Sequence, residues 1–130
     1  MGSILITGAT GLHGGVGAHA ARQICDMGLP VRAVVRTFDA RSDALAKAGI
    51  EVVKADFMDI NSLRAAFRGV SRALFCYPIR PGLLEAAFNV AVVAREAGLE
   101  VLVDLSLIVA REGSPSDEAR EHWLVSQMFD

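Results

Sequence analysis

Short apolar runs alternate along the chain with longer segments in which apolar residues recur at helical spacing. Runs of this length are typical of β-strands buried on both faces, and the longer segments are typical of helices that cover such a sheet. The predicted strands are Ser3–Thr7, Val31–Arg36, Glu51–Ala55, Ala73–Cys76 and Glu100–Leu105. The predicted helices between them are Gly14–Met27, Asp39–Ala48, Ser62–Phe67 and Pro81–Ala97.

These four predicted helices share one feature, a glycine near the helix end and just before the next apolar run. Glycine commonly ends a helix because it adopts the left-handed conformation without steric cost. The glycines are Gly28, Gly49, Gly69 and Gly98. Alternating strands and helices with short connections indicate right-handed βαβ units, so the sequence predicts a single α/β domain over residues 1–130 with a parallel sheet.

The last predicted helix follows a polar loop over residues 111–116. Ser114, followed by Pro115 at the first helical position and Asp117 three residues after the cap, resembles a capping box. Large apolar residues gather near the end of this helix: Trp123, Leu124, Met128 and Phe129. We expect a homo-oligomer formed through this helix or through the edge of the fifth strand, because exposed apolar surface and unpaired strand edges need cover.

Five of the twelve glycines lie in the stretch Ile6–Gly17, where the first predicted strand passes into the first predicted helix. Three of them form the pattern Gly8-x-x-Gly11-x-x-Gly14. In the first turn of a βαβ unit, such glycines permit a tight turn, a close approach of the backbone to a pyrophosphate, and close packing of the helix. The free N–H groups and the positive end of the helix dipole attract the anion. A dinucleotide-binding turn is therefore predicted, against the alternative of a tight turn without a ligand.

Other residues of this turn extend the predicted site. Thr10, Leu12 and His13 are assigned to it, and Gly15 and Gly17 are assigned to the closely packed face of the helix. For His13 the favoured interpretation is an exposed polar side chain, because the positive end of a helix disfavours a protonated imidazole.

The end of the second predicted strand indicates which dinucleotide binds. An NAD-type site carries an acidic residue there that accepts hydrogen bonds from the ribose hydroxyls. This chain has Arg36 instead, followed by Thr37 and Arg41. A guanidinium group binds a phosphate through parallel hydrogen bonds. We therefore expect Arg36 to bind the 2′-phosphate of NADP(H), which is the predicted preferred cofactor, with NAD(H) possible. The alternative is a solvated arginine at the end of a strand.

Charge and composition restrict the partners. The formal net charge is −2, which argues against nucleic acid. Residues 1–70 carry 8 basic and 6 acidic groups (+2) and residues 71–130 carry 5 and 9 (−4), so an anionic ligand should prefer the N-terminal half. Cys25 and Cys76 lack metal-ligand spacing, which predicts reduced thiols and no metal site. No apolar run approaches the ~20 residues of a membrane span and no signal peptide is visible, so we expect a cytoplasmic protein without a membrane partner.

Four segments together carry a family resemblance. ILITGATGLHGG, VRAVVR, VVKADFMD and LVDLS resemble the NmrA-like group of atypical short-chain dehydrogenases/reductases, which includes NAD(P)H:quinone oxidoreductases and NADP-sensing regulators. The resemblance implies a three-layer Rossmann-type fold, a sheet of about five parallel strands in the order 3-2-1-4-5 with helices on both faces. It also implies that Asp56 and Phe57 flank the adenine and that Tyr77 and Pro78 border the ribose and nicotinamide path. The alternatives are that Asp56 caps a turn, that Phe57 is a core residue and that Pro78 stops a loop.

The resemblance also suggests candidate catalytic residues. Ser106, after the fifth strand, resembles the serine that borders the substrate pocket, unless it merely ends the strand. Tyrosine-dependent members of the superfamily carry Tyr-x-x-x-Lys on the next helix, where this chain has His122 and Ser126, so that pair is absent. His122 is a candidate proton donor, although a helix-surface position is the favoured interpretation. Asp104 is expected at an exposed edge or in a pair, because an unpaired buried carboxylate is costly.

The function implied is that of an NAD(P)H-binding reductase that passes hydride to a quinone or a similar small electrophile. The family pattern continues with at least one more strand and a region that covers the substrate, which this sequence lacks. The alternatives are a non-catalytic redox sensor or interaction protein, and a truncated inactive family member.

Overall fold

The structure is a computed structural model that describes residues 2–10 and 15–130. The described residues form the strands β1 Ser3–Ile6, β2 Val31–Val35, β3 Glu51–Lys54, β4 Val70–Phe75 and β5 Val101–Asp104. The helices are α1 Val16–Asp26, α2 Ala40–Lys47, α3 Ile60–Ala66, α4 Leu83–Glu96 and α5 Asp117–Phe129. The predicted alternation of strands and helices is thereby confirmed.

The strands form one parallel sheet in the order β3-β2-β1-β4-β5, as the family resemblance implied. Side chains alternate between the two faces along the central strand β1. Leu5 belongs to the core shared with α3, α4 and α5, whereas Ile6 belongs to the core shared with α1 and α2. Helices therefore cover both faces, and the carboxyl ends of all five strands meet at one edge.

The predicted helix ends are confirmed by the backbone. Gly28, Gly49, Gly69 and Gly98 all have positive φ, between 68° and 91°. At the other end of α3, the carboxylate of Asp59 accepts hydrogen bonds from the N–H groups of the first turn.

The predicted start of the fourth strand and the predicted cap of the last helix are wrong. β4 begins at Val70 rather than Ala73, because Val70 and Arg72 pair with Ser3 and Ile4 of β1, with a register shift between the two pairs. The cap of α5 is Ser116, whose hydroxyl accepts a hydrogen bond from the N–H of Ala119 at 3.4 Å. Ser114 is instead buried in the preceding loop.

The edge strand β5 leaves part of its surface open. Val101 and Val103 are exposed. By contrast, Met128 and Phe129 pack against the core of the chain itself, with the rings of Phe129 and Phe75 meeting edge to face at 5.4 Å. Part of the apolar group expected to drive self-association is therefore already covered, and self-association stays a prediction. Among the described residues, no helix has the length and apolar character needed to cross a membrane.

Candidate dinucleotide-binding site

A cavity of about 350 Å³ opens where the carboxyl ends of the strands meet. Each strand contributes a residue one or two positions beyond its end: Gly8 after β1, Arg36 after β2, Asp56 after β3, Tyr77 after β4 and Ser106 after β5. In open parallel sheets, ligands bind outside the carboxyl ends of the strands. The cavity is therefore the candidate functional site.

The structure brings the described candidate residues to this one cavity. Its wall contains Gly8, Thr10, Arg36, Asp56, Phe57, Tyr77, Pro78, Ser106 and His122. The predicted positions Gly11, Leu12, His13 and Gly14 lie outside the described residues. Several apolar residues of the cavity wall were not predicted, because their positions in the sequence look like those of core residues. Among them are Val16, Val34, Ile79 and Leu107.

Thr7 and Gly8 bring the ends of β1 and β4 together. The buried Thr7 hydroxyl accepts a hydrogen bond from the Cys76 N–H at 2.8 Å and donates one to the Cys76 carbonyl at 3.0 Å. Gly8 has a φ of +72°, and a Cβ there would lie 3.0 Å from the same carbonyl oxygen. Only glycine fits this crowded turn, as the sequence predicted. The hydrogen bonds of the Thr7 hydroxyl to the Cys76 backbone were not predicted from the sequence.

Gly17 lets α1 pack against the turn. A Cβ on Gly17 would lie 2.8 Å from the carbonyl oxygen of Gly8 and 2.9 Å from its carbonyl carbon. The predicted close packing of Gly17 is therefore confirmed. A Cβ at Gly15 would have no heavy atom of the described residues within 4 Å, so the close packing of Gly15 stays a prediction. Gly15 is needed for its backbone conformation, a φ of +60° at the start of α1.

The start of α1 is suited to an anion. Its cap, Gly15, offers no side-chain hydrogen bond, and the first turn carries no acidic residue. The first N–H groups of a helix have no partner within the helix and carry its positive dipole end. α1 thus points this positive end toward the cavity wall formed by Val16 and Gly17.

Two arginines near the end of β2 have different roles. Arg36 lines the cavity, is exposed, and makes no hydrogen bond or ion pair within the described part of the chain. Arg41 donates to the carbonyl of Thr10 at 2.7 Å and forms an ion pair with Asp39 at 2.6 Å. The Arg41 guanidinium holds the pKa of Asp39 below its usual range. Arg41 therefore ties α2 to the glycine turn, whereas the Arg36 guanidinium has no hydrogen-bond or ion-pair partner among the described residues.

We expect Arg41→Ala to weaken dinucleotide binding only a few-fold, and equally for NADPH and NADH, because the change loosens the backbone at Thr10 without removing a phosphate contact. Fluorescence titration with both dinucleotides would measure this. A selective loss of NADPH binding would contradict the assigned role and would make Arg41 the group that recognises the 2′-phosphate.

Aromatic rings form the wall between β3 and β4. The ring of Phe57 packs edge to face against Phe75 at 5.8 Å and Tyr77 at 5.6 Å, and the Asn89 side chain donates to the Phe57 carbonyl at 2.7 Å. The Asp56 carboxylate accepts from the N–H of Met58 at 2.9 Å. Asp56 therefore caps its own turn while its exposed side chain lines the cavity.

The phenol hydroxyl of Tyr77 is engaged in a hydrogen bond within the protein. Its hydroxyl donates to the carbonyl of Pro81 at 2.8 Å, and the guanidinium of Arg80 lies 5.5 Å from the centre of its ring. Tyr77 is buried, so it supports the wall through its ring. This geometry agrees with the expected absence of a tyrosine-dependent mechanism.

Asp104 and His122 are not where the sequence suggested. His122 is only 6% exposed, so the favoured helix-surface position is wrong. Asp104 is only partly exposed, and among the described residues neither its buried Oδ1 nor the buried Nδ1 of His122 has a hydrogen-bond partner. Burial raises the pKa of Asp104, and the nearby His122 charge lowers it in part. Both positions follow from the packing of α5 against β5, which local sequence patterns do not reveal.

Similarity to known proteins agrees with this geometry. The model of a family described as NAD(P)H-binding matches residues 11–129. The chain belongs to this NAD(P)H-binding family. Family membership confirms the recognised resemblance at this level and a nicotinamide dinucleotide as the class of cofactor. No curated protein matches the sequence.

Solved structures of family-like proteins share the fold. The triphenylmethane reductase of Citrobacter sp., complexed with NADP(H), is 30% identical, with a TM-score of 0.80 over 97% of this chain. The Escherichia coli NADPH-dependent quinone oxidoreductase, complexed with NADPH, is 33% identical, with a TM-score of 0.79 over 96% of this chain. This chain spans 44% of the length of each reductase. A nucleoside-diphosphate-sugar epimerase of Staphylococcus aureus, 17% identical with a TM-score of 0.79 over 97% of this chain and 45% of its own, shares the fold alone.

Proposed function

We propose that this chain binds NADPH in the cavity at the strand ends and reduces a quinone or a similar small electrophile. The observation that carries the proposal is the free guanidinium of Arg36 in the wall of a cavity that also receives the glycine turn. The two solved reductases, one bound to NADP(H) and one to NADPH, support it by similarity.

The residues present suit a dinucleotide. A Cβ at Gly8 or Gly17 would lie 3.0 Å or 2.8 Å from a backbone carbonyl oxygen, so these glycines let the turn after β1 pack closely against β4 and α1. The uncapped start of α1 favours a pyrophosphate there. Arg36 would hold the 2′-phosphate. Asp56 and Phe57 would border the adenine side, while Tyr77 and Pro78 would border the ribose and nicotinamide side and Ser106 the substrate. The Thr10 carbonyl, held by Arg41, belongs to the same turn.

NADPH is preferred over NADH on electrostatic grounds. An NAD-type site needs a free carboxylate after β2, and the nearest one in sequence, Asp39, is occupied by Arg41 and by the N–H groups that begin α2. A guanidinium without a carboxylate partner favours an additional phosphate. When bound, the cofactor supplies hydride to the substrate, and the protein orients the two reactants and excludes water.

A second candidate function is that of a dinucleotide sensor without catalysis. It is favoured by one observation, the hydroxyl of Tyr77 that is bonded to the Pro81 carbonyl and so unavailable as a proton donor. The two functions share the binding site and differ only in turnover. The cytoplasmic location, like the expected homo-oligomer, stays a prediction, although the two free cysteines are compatible with it.

The proposal predicts saturable binding of NADPH, seen as a rise in nicotinamide fluorescence, with NADH binding about 10-fold or more weakly, as expected from loss of one charge-assisted phosphate contact. Oxidation of NADPH with a benzoquinone, followed at the nicotinamide absorbance, would then separate reductase from sensor. Binding without turnover supports the sensor. Absence of binding by either dinucleotide contradicts both functions for this chain.

A further inference from the structure

We propose that His122 is the proton donor of the reduction and that Asp104 is the positioning residue that favours its charged form. The inference rests on the proposed function. It assigns a residue to the proton transfer that accompanies hydride transfer, a step for which the preceding description names no side chain. Neither tyrosine nor lysine supplies this proton, because the Tyr-x-x-x-Lys pair is absent and the Tyr77 hydroxyl is bonded to the Pro81 carbonyl.

His122 meets the geometric requirements of a donor. It lies on α5, lines the cavity together with Ser106, and is 6% exposed. Its Nδ1 is buried without a hydrogen-bond partner. A buried polar atom left unpaired costs free energy, and such atoms often belong to binding or catalytic groups.

Asp104 supplies the negative charge beside it. It ends β5, opposite Phe75 of β4, and its buried Oδ1 has no hydrogen-bond partner among the described residues. The charge of His122 lowers the pKa of Asp104 against the effect of burial, although no ion pair within 4 Å joins the two side chains. A buried carboxylate favours an imidazolium nearby.

Cys76 is a titratable group on which Asp104 acts. It follows β4, and burial together with the charge of Asp104 raises the pKa of its thiol. The thiol therefore stays protonated and neutral near pH 7, and it does not compensate the carboxylate. Among the described residues, His122 is the group whose charge lowers the pKa of Asp104.

The position of His122 also suits the step. Asp56, another titratable group of the cavity wall, follows β3 at the opposite edge of the sheet from β5. The adenine side of the proposed site lies there, whereas His122 lies beside Ser106 on the substrate side. This places His122 on the side of the cavity where the reacting carbonyl would lie.

The proposed step is balanced. Reduction of a quinone to a hydroquinone takes up one hydride and one proton. When NADPH is bound, its reduced nicotinamide would supply the hydride with its electron pair to the quinone and become oxidised, and an N–H bond of the His122 imidazolium would break as an O–H bond forms on the substrate. The neutral imidazole then regains a proton from solvent through the open cavity.

The first test needs no bound cofactor. Carbon-13 labelling of the aspartate carboxyl groups lets the titration of Asp104 be followed by NMR, with Asp104→Asn identifying its signal. We expect the Asp104 carboxyl to titrate above the usual range of aspartate, and His122→Gln to raise its pKa further, because the change removes a nearby positive charge. His19→Gln, an exposed histidine of α1, is the matched control. An ordinary Asp104 titration that His122→Gln leaves unchanged would overturn the pairing.

The second test separates chemistry from binding. We expect His122→Gln to bind NADPH like the wild type while quinone reduction falls about 100-fold or more, the usual contribution of a general acid. Asp104→Asn should make the rate decline at a lower pH than in the wild type, and Asp104→Glu should restore part of the original profile. A full rate in His122→Gln, or an Asp104→Asn profile that differs only by a pH-independent factor, would overturn the proposal.

These outcomes are distinct from failure of the proposed function. If the wild type binds NADPH but reduces no quinone, the kinetic arm contradicts the donor role together with the reductase function, while the NMR titration still decides whether the Asp104–His122 pair exists. If His122→Gln does not fold, the pH profiles of Asp104→Asn and Asp104→Glu decide the donor role.

Discussion

Gly17→Ala is expected to destabilise the protein by about 1–3 kcal/mol, although alanine is normally the better helix former by roughly 1 kcal/mol. The new methyl group would lie 2.8 Å from the Gly8 carbonyl oxygen and 3.0 Å from the Ala9 nitrogen. Both neighbours are backbone atoms, so α1 and the glycine turn must move apart. Thermal and denaturant unfolding would measure the loss of stability.

The same displacement should weaken NADPH binding about 10-fold or more, because the pyrophosphate would depend on the placement of the turn relative to the start of α1. Gly113→Ala is the matched control, since a Cβ at Gly113 would meet no heavy atom within 4 Å. A Gly17→Ala variant that is more stable than the wild type, as helix propensity alone predicts, would contradict the close packing of α1 on the turn.

The fold was predictable because its signals are local. Apolar runs, helical spacing and the glycines after each helix mark the elements one by one, and the right-handed βαβ rule converts that order into a parallel sheet. The location of the site follows from the same rule, because the residues after parallel strands must meet at one edge. Gly8, Arg36 and Tyr77 reached the cavity wall for this reason.

What could not be predicted depends on distant packing. The burial of His122 and of the Asp104 Oδ1 atom is set by how α5 lies against β5, and nothing within either segment reports it. Which atoms crowd Gly17, the carbonyl of Gly8 and the nitrogen of Ala9, likewise depends on how α1 meets the turn. The cap at Ser116 is a smaller case, because Ser-Pro-Ser offers two capping serines.

Arg36→Ala is expected to raise the Kd for NADPH about 10- to 100-fold while changing the Kd for NADH less than about 2-fold. A hydrogen bond to a charged group contributes about 1.5–3 kcal/mol, and roughly 1.4 kcal/mol corresponds to a factor of ten in affinity. Arg36 is the guanidinium of the cavity wall nearest in sequence to β2, and it carries no competing bond within the described residues. Arg36→Lys should give an intermediate Kd, because an ammonium group keeps the charge but not the parallel hydrogen bonds.

The control for Arg36 is Arg22→Ala, an exposed arginine of α1 outside the cavity wall. It removes the same formal charge, so a general electrostatic effect would appear in both variants and would fade with salt. Parallel losses of NADPH affinity in both would contradict a specific phosphate contact. If the preference for NADPH survives Arg36→Ala but disappears in Arg41→Ala, Arg41 is the residue that contacts the 2′-phosphate. Arg41 would then have to leave Asp39 when the dinucleotide binds. A preference lost only in Arg36→Ala would make the end of β2 the determinant of cofactor choice, with Arg41 holding the turn beside it.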